Sequence, residues 1–374
     1  MFRFLHSSDL HLGKRFGNFT GDLPSRLREA RHGVIARLAQ HAREQGAGTL
    51  LLAGDTFDTE TPAPEVRRQA LAEMRHHAPL TWVLLPGNHD SLQAAPLWAA
   101  LAAEAPDNVI LATAPLPLDL APGVVLLPAP CTTRRPGRDL TEGMDALATP
   151  EGTLRLGLAH GAIRSFSEDA VAGDVIAPDR ARRAGLSYLA LGDWHGAVEV
   201  DSRTRYSGTP EPDRFKHEAP GTALLVSLAG ASALPEVTAL PTASFAWREL
   251  DLHLLEGDDP VAALAARLPE ARARRQTLAR LIASGHTRLA GQAALAGAVA
   301  QAAPDFALLE LDEIGLSTAC VPDDLDLIDR AGALREAADA LLAEAGDAFR
   351  SAAEREVARA ALARLYSYAQ TVAS

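Results

Sequence analysis

The chain has 374 residues, of which 47% are hydrophobic and 22% are charged, and its formal net charge is −12. This length and composition are ordinary for a globular protein with one large domain and a smaller one. The acidic balance argues against a protein that coats nucleic acid, because such proteins are basic over their surface. It does not exclude a local positive site.

The sequence offers few indications of where in the cell the protein resides. The chain has no long uncharged apolar run, so we expect no membrane-spanning helix. Residues 1–5 predict a strand rather than a secretory signal. The two cysteines, Cys131 and Cys320, lie far apart in the sequence and predict a reduced, cytoplasmic chain without a disulfide framework.

Apolar runs typical of strands alternate with helical patterns through the first two thirds of the chain. The apolar spacing from Leu27 to Ala42 predicts a helix between the first two strands, and further helices are predicted at 65–76 and 98–105. Such alternation predicts an α/β domain. The predicted strands are 2–6, 49–53, 80–85, 109–112, 124–127, 154–159, 188–191 and 223–228.

The pattern changes at 235–242, a Pro- and Ala-rich stretch that we interpret as a connection. Beyond it, a smaller α/β module is indicated, and apolar stripes from Leu327 onward predict two C-terminal helices. Such stripes are more often packing faces than chemical sites. We therefore predict a main domain at 1–240, a capping domain at 245–320 and C-terminal helices at 327–374. Within the capping domain the predicted strands are 245–255, 278–283 and 306–311, and the predicted helices are 261–268 and 292–302.

Polar side chains that can bind metal follow five predicted strands at the point where each strand ends. Taken singly, each has a simple structural explanation, since Asp, Asn and Gly are common in turns. The carboxyl ends of strands in an open α/β sheet line one crevice, so we expect these side chains to meet there. The joint pattern therefore favours a metal site. The segments HSSDLHLG, GDTFD, PGNHD, HG and GDWHG contribute Asp9, His11, Asp55, Asp58, Asn88, His89, Asp90, His160, Asp193 and His195.

The ligand types indicate the class of metal. Carboxylate, amide and imidazole groups without thiolate favour Mn, Fe or Zn over Ca. There are enough of them for two ions. A carboxylate shared by two ions about 3.5–4 Å apart is how hydrolases hold a phosphoryl group.

These motifs resemble those of a known family. DLH, GDTFD, PGNHD, HG and GDWH are similar to the motifs of the calcineurin-like metallophosphoesterases. HSSDLHLG, GDTFD and PGNHDS look closest to the SbcD-type and YhaO-like DNA double-strand-break repair nuclease subunits. RYSGTPEPDRF, at residues 205–215, resembles the segment that closes the nuclease domain there. The likeness covers roughly residues 1–230.

The resemblance implies a β-sandwich flanked by helices, followed by a small cap. It implies a DNA exo- or endonuclease in DNA repair that uses a hydroxide bridging two metal ions, with Mn expected and Fe or Zn as alternatives. DNA, an SbcC-like ATPase subunit and a second copy of the chain are the implied partners.

The resemblance also assigns roles to individual residues. His89 would be the general acid or would stabilise the transition state, and Asp58 would orient His89. Asp55 would be shared between the two ions. One ion would be held by Asp9, His11, Asp55 and His195, and the other by Asp55, Asn88, His160 and Asp193.

One position departs from the family pattern. The family usually has Gly-His-x-His where this chain has GDWH, so Asp193 stands in place of an imidazole. A carboxylate is still a competent ligand and favours harder ions such as Mn. Its extra negative charge would strengthen metal binding but weaken the Lewis acidity felt by substrate. We therefore expect altered rather than lost activity.

Two alternatives to the nuclease stay open. Fold does not determine substrate, so the site could serve a small-molecule or cyclic-nucleotide phosphodiesterase, which the acidic net charge mildly favours. The other alternative is a catalytically weak subunit that binds DNA ends, which Asp193 motivates. Salt-dependent DNA affinity without turnover would mark that subunit.

Overall fold

The computed structural model describes residues 1–163, 175–215, 220–319, 325–326, 328–329 and 331–373. The chain divides into two compact units, Met1–Ala246 and Trp247–Ser374. The division into three parts made from the sequence stays a prediction. Cys320 and Leu327, which entered the sequence predictions, lie outside the described residues.

Two six-stranded sheets form the N-terminal unit. Their strands are β1 (Phe2–Ser7), β2 (Thr49–Leu52), β3 (Thr81–Leu84), β4 (Val109–Leu111), β5 (Leu118–Ala121), β6 (Val124–Ala129), β7 (Leu154–His160), β8 (Tyr188–Gly192), β9 (Val198–Glu199), β10 (Thr204–Tyr206), β11 (Thr222–Leu228) and β12 (Glu236–Pro241). The first sheet has the order β12-β11-β1-β2-β3-β4, and the second has the order β5-β6-β7-β8-β10-β9. Strands β1 to β4 run parallel to one another, as do β6, β7, β8 and β10.

Alternate residues of the central strands enter different cores, because successive side chains of a strand point to opposite faces of its sheet. In β2, Leu51 belongs to the core between the two sheets, whereas Leu50 and Leu52 belong to the core on the outer face of the first sheet. In β8, Tyr188 belongs to the core between the sheets and Leu189 to the core on the outer face of the second. The sheets therefore pack face to face as a sandwich.

Helices cover both outer faces of this sandwich. The first sheet packs against α2 (Val34–Glu44), α3 (Pro64–His76) and α4 (Ala95–Glu104). The helix α1 (Leu23–His32) precedes α2 and contacts it. The second sheet packs against a 3-10 helix at Leu140–Ala146 and the short helix α5 (Arg180–Arg183). The predicted α/β class, with a β-sandwich flanked by helices, is confirmed.

Two sequence predictions for this unit were wrong in detail. The helix predicted between the first two strands is two helices, α1 and α2, which are separated at Gly33. The stretch 235–242, which we interpreted as a connection, contains β12, and this strand pairs antiparallel with β11 at the sheet edge. An exposed edge strand carries weak alternation and tolerates proline, so its sequence pattern did not indicate a strand.

The C-terminal unit has a three-stranded sheet with the order β13 (Ala246–Leu254), β14 (Thr277–Arg288) and β15 (Leu308–Ala319). Strands β14 and β15 are parallel and have 12 residues each, which is longer than predicted. The helices are α6 (Pro260–Arg267), α7 (Ala271–Arg274), α8 (Leu289–Ala302), α9 (Ala333–Gly346) and α10 (Ala352–Ala373). Leu289 of α8, Ala338 of α9 and Leu362 of α10 share one apolar cluster, so the C-terminal stripes are packing faces.

Across the part of the chain that the structure describes, no helix is both long and apolar enough to span a membrane.

The core between the sheets should carry much of the stability of the N-terminal unit. Leu51 is 0% exposed there, and Leu51→Ala removes buried methyl groups and leaves a cavity. We predict that it lowers the free energy of unfolding by about 2–5 kcal/mol. Leu116→Ala, at a position that is 60% exposed, is the control and should cost about 0.5 kcal/mol or less. Urea unfolding followed by circular dichroism measures both, and equal losses would contradict the packing described here.

Candidate metal centre

The carboxyl ends of strands from both sheets meet at one place in the N-terminal unit. His160, the last residue of β7, donates a hydrogen bond from Nδ1 to the main-chain carbonyl of Ala53, which follows β2, over 2.9 Å. A Cβ at Gly192, the last residue of β8, would lie 2.0 Å from the same carbonyl. Only glycine permits so close an approach of the second sheet to the first.

Four candidate ligands adopt left-handed backbone conformations that non-glycine residues seldom take. Their φ angles are +54° at Asp9, +45° at His11, +53° at Asp55 and +103° at Asp193. Main-chain hydrogen bonds hold the first two turns together: the His11 N–H donates to the Asp55 carbonyl over 2.9 Å, and the Asp9 N–H donates to the Gly54 carbonyl over 3.1 Å. Strained backbone of this kind concentrates at functional sites.

A first group of donor atoms surrounds Asp9. His11 Nε2 lies 3.9 Å from Asp9 Oδ1 and 3.8 Å from Asp55 Oδ2, and His195 Nε2 lies 3.8 Å from Asp9 Oδ1. The two Nε2 atoms are 3.3 Å apart. Atoms that bind one ion at about 2.1 Å are themselves separated by about 3–4 Å, so this group has the spacing of a metal site. We call Asp9, His11, Asp55 and His195 the first set.

A second group lies on the other side of Asp55. His160 Nε2 is 3.5 Å from Asp55 Oδ2 and 3.8 Å from Asp193 Oδ1. The Asn88 amide nitrogen donates to Asp193 Oδ1 over 3.1 Å, which leaves the amide oxygen of Asn88 for another partner. We call Asp55, Asn88, His160 and Asp193 the second set. The structure thus brings together all seven residues that the sequence predicts as metal ligands. Asp55 Oδ2 lies close to a histidine of each set, His11 and His160.

Three of the oxygen and nitrogen atoms that would face the ions are buried without a hydrogen-bond partner: Asp9 Oδ1, Asn88 Oδ1 and His160 Nε2. Leaving a buried polar atom unpaired costs about 1–3 kcal/mol, and more when the group is charged. Divalent cations bound by the two sets would satisfy all three atoms. The residues present therefore fit two ions bound to oxygen and nitrogen.

Each histidine of the two sets directs Nδ1 at an acceptor. His160 Nδ1 donates to a main-chain carbonyl, His11 Nδ1 lies 3.4 Å from an Asp58 carboxylate oxygen, and His195 Nδ1 lies 3.7 Å from an Asp213 carboxylate oxygen. Because these oxygen atoms face Nδ1, Nε2 of each ring faces Asp9 and Asp55, where a bound cation would take the place of a proton. This is the usual arrangement around histidines that bind metal.

His89 is half-buried beside the first set. Its main-chain N–H donates to Asp55 Oδ1 over 2.8 Å, and its Nδ1 donates to the main-chain carbonyl of Asp58 over 3.0 Å. Asp58 therefore holds the His89 ring through the main chain, while the Asp58 carboxylate faces His11 and Lys14. The ring of His89 packs edge-on against that of His11, with the centroids 4.9 Å apart.

Sequence reasoning gave no role to two buried carboxylates near the site. Asp90, which is 0% exposed, accepts hydrogen bonds from the main-chain N–H groups of Phe57 and Gly87, and so orders the turn that presents Asn88. Asp213 faces His195 from within RYSGTPEPDRF. In the sequence, Asp213 is an acidic residue within a segment that the family resemblance links only to the end of the nuclease domain.

Burial and mutual repulsion set the protonation of the metal-free centre. Burial raises the pKa of Asp55 and of Asp193, because a buried carboxylate loses its hydration. Burial alone would lower the pKa of His160, but the charges of Asp55, Asp9 and Asp193 outweigh it and raise this pKa to about 9. Burial lowers the pKa of His11 to about 4. At neutral pH His160 therefore holds a proton that a cation can replace, and His11 is neutral.

Part of the N-terminal unit is similar to a known family. Residues 2–175 match the family described as calcineurin-like phosphoesterase. No curated protein matched the chain. Among solved structures, the crystal structure of TT1561 of Thermus thermophilus is 11% identical with a TM-score of 0.41, covering 63% of this chain and 98% of that chain. A second crystal structure is 11% identical with a TM-score of 0.38, covering 64% and 98%.

Gly87 allows Asp55 its position. A Cβ at Gly87 would lie 2.1 Å from Asp55 Oδ1 and 2.3 Å from the Asp55 main-chain nitrogen. Gly87→Ala must displace the shared carboxylate, so we predict that the affinity for Mn falls about 10–100-fold. Isothermal titration calorimetry on the metal-free protein measures this. Gly143→Ala, where nothing lies within 4 Å of the added Cβ, is the control, and equal affinities of the two variants would contradict the prediction.

Metal binding should release a proton. The pKa of His160 is raised from 6.5 to about 9 in the metal-free fold, so its proton stabilises that fold fully below pH 6.5. This contribution is lost as the pH rises through about 9. A cation at Nε2 displaces the proton, and we therefore predict that Mn binding between these pH values releases the His160 proton. Calorimetry in two buffers of different ionisation enthalpy measures the release. His160→Gln should lower the number of protons released, and identical heats in both buffers for the parent chain would refute the prediction.

Proposed function

We propose that this chain is a Mn-dependent nuclease that acts on DNA phosphodiesters. The match of residues 2–175 to the calcineurin-like phosphoesterases supports the coarser part of this proposal, a metal-dependent hydrolase of phosphoesters. One observation carries the hydrolytic part: three histidine Nε2 atoms converge on Asp9 and Asp55 at spacings of 3.5–3.9 Å. Beside them, the half-buried His89 is held for contact with a substrate.

Two features support DNA as the substrate. The segments HSSDLHLG, GDTFD, PGNHDS and RYSGTPEPDRF resemble those of double-strand-break repair nucleases. An exposed basic stretch with Arg134, Arg135 and Arg138 also begins shortly after Cys131, whose main-chain N–H donates to the Pro86 carbonyl beside the site. Arginine suits bidentate contacts with backbone phosphates, so this stretch could guide a polyanion to the centre.

The residues of the site divide the chemistry between them. The first and second sets would each hold one ion, with Asp55 shared. When bound, two divalent ions would supply Lewis acidity and activated water near neutral pH. The Nδ1–H of His89 is held by the Asp58 carbonyl, which leaves Nε2 for substrate. In its protonated form His89 donates from Nε2 to the leaving oxygen.

Asp193 distinguishes this centre from the usual family pattern. It gives the second set one imidazole, one amide and two carboxylates, a set that favours Mn over softer ions. Fe or Zn are the alternative metals. We propose altered rather than lost turnover. An SbcC-like ATPase partner and a homodimer belong to the same proposal.

Two other candidate functions follow from specific observations. The net charge of −12 favours a small-molecule or cyclic-nucleotide phosphodiesterase. The carboxylate at Asp193 favours a catalytically weak subunit that binds DNA ends.

His89 provides the sharpest test. With Mn present, we expect cleavage of end-labelled linear DNA, and we expect His89→Ala to slow it about 10²–10⁴-fold because the leaving oxygen loses its proton donor. His76→Ala, an exposed histidine of α3, is the control and should cleave as the parent does. Circular single-stranded DNA, assayed in parallel, reports endonuclease activity.

The other outcomes separate the candidates. Hydrolysis of bis-p-nitrophenyl phosphate without DNA cleavage would favour the small-molecule phosphodiesterase. Salt-sensitive DNA binding without turnover of either substrate would favour the end-binding subunit. DNA cleavage that survives EDTA or is unaffected by His89→Ala would contradict the proposed mechanism.

A further inference from the structure

An ion network lies behind the first set, and the proposed chemistry makes no use of it. Lys14 Nζ is 2.6 Å from Asp213 Oδ2 and 3.9 Å from Asp58 Oδ1. Asp213 and Asp58 are the carboxylates that face His195 Nδ1 and His11 Nδ1, respectively. A single ammonium therefore links the acceptors of both histidines of the first set.

The Asp213 carboxylate is held by cations. Its side chain is 1% exposed, and it accepts a hydrogen bond from Arg214 Nε over 2.8 Å. Its other oxygen, Oδ2, lies 2.6 Å from Lys14 Nζ. His195 therefore faces a carboxylate whose position is fixed by Arg214 and Lys14.

Lys14 is part of the same turn as His11. Its main-chain N–H donates to the His11 carbonyl over 3.2 Å, and Gly13 between them has φ +91°. The Lys14 side chain is 25% exposed, so a substitution at this position leaves no cavity in the hydrophobic core. The turn thus places a ligand and the cation behind it at a constant separation.

We propose that Lys14, acting through Asp58 and Asp213, positions the rings of His11 and His195 and so raises the affinity of the first set for a divalent cation. The inference rests on the metal centre of the proposed function and not on DNA as substrate. A charged acceptor at Nδ1 fixes the ring and increases the basicity of Nε2.

The second set differs in this respect. His160 Nδ1 donates to the neutral carbonyl of Ala53, and its acceptor is part of the main chain. Loss of the Lys14 charge should therefore weaken binding at the first set and spare the second. This asymmetry separates a positioning role from general destabilisation.

The test is Mn titration of the metal-free full chain by calorimetry. In Lys14→Met, one of the two Mn equivalents should bind about 10–100-fold more weakly while the other is unchanged. Lys14→Arg keeps the charge and should restore the parent affinity. Arg205→Met is the matched control, because Arg205 is 20% exposed and pairs with Glu199 over 2.6 Å, and it should bind as the parent does.

Two further variants assign the effect to the first set. Asp213→Asn should reproduce the selective loss. In an Asn88→Ala background, which impairs the second set, Lys14→Met should weaken the equivalent that remains. The unfolding midpoint in EDTA, measured on the same samples, reports the stability that Lys14→Met loses without metal, and Lys14→Arg should recover it.

The proposal is overturned if both equivalents keep parent affinity in Lys14→Met, if both weaken equally, or if Lys14→Arg fails to recover binding. A fall in the EDTA midpoint that accompanies equal losses would assign Lys14 a purely structural role. Binding is measured without nucleic acid. A failure of DNA cleavage would therefore count against the proposed function and not against this inference.

Discussion

The site depends on the negative charge that the buried Asp9 and Asp55 and the half-buried Asp193 bring together at one place. Three carboxylates at the junction of two sheets cannot all stay ionised without compensation, and burial raises the pKa of Asp55 and Asp193 accordingly. His160 balances part of the charge by holding a proton. Unpaired donor atoms nearby, among them Asn88 Oδ1, show that the balance is incomplete within the protein itself. The centre is thus built to take cations.

The sandwich is what allows these groups to meet. The first sheet presents Asp9 and Asp55, and the second presents His160 and Asp193, so neither sheet alone has a complete ligand set. Glycine permits the contact at the seam: a Cβ at Gly54 would lie 2.3 Å from His160 Nδ1. The left-handed turns at the strand ends then aim the carboxylates inward, and the packed core beneath them supplies the free energy that holds those turns.

The groups behind the ligands make the two sets unequal. The histidines of the first set face carboxylates, whereas His160 of the second set faces a main-chain carbonyl. The second set compensates with Asp193, whose charge enters the ligand set directly. In the first set the additional negative charge comes from the carboxylates that face the Nδ1 atoms. In the second set it comes from Asp193, which is itself a candidate ligand. Divalent cations that accept both oxygen and nitrogen ligands suit both arrangements.

The amino-acid sequence by itself determined the fold class and the ligand candidates, because both are local properties. Apolar alternation marks a strand wherever it lies, and an Asp or His directly after a strand is placed at its end by the chain itself. Only the tertiary structure decided which acceptor each Nδ1 meets. The Asp58 carboxylate turns to His11 while its carbonyl takes His89, and Asp213 reaches His195 across a loop. Side-chain direction depends on packing between segments far apart in the sequence, and no local pattern encodes it.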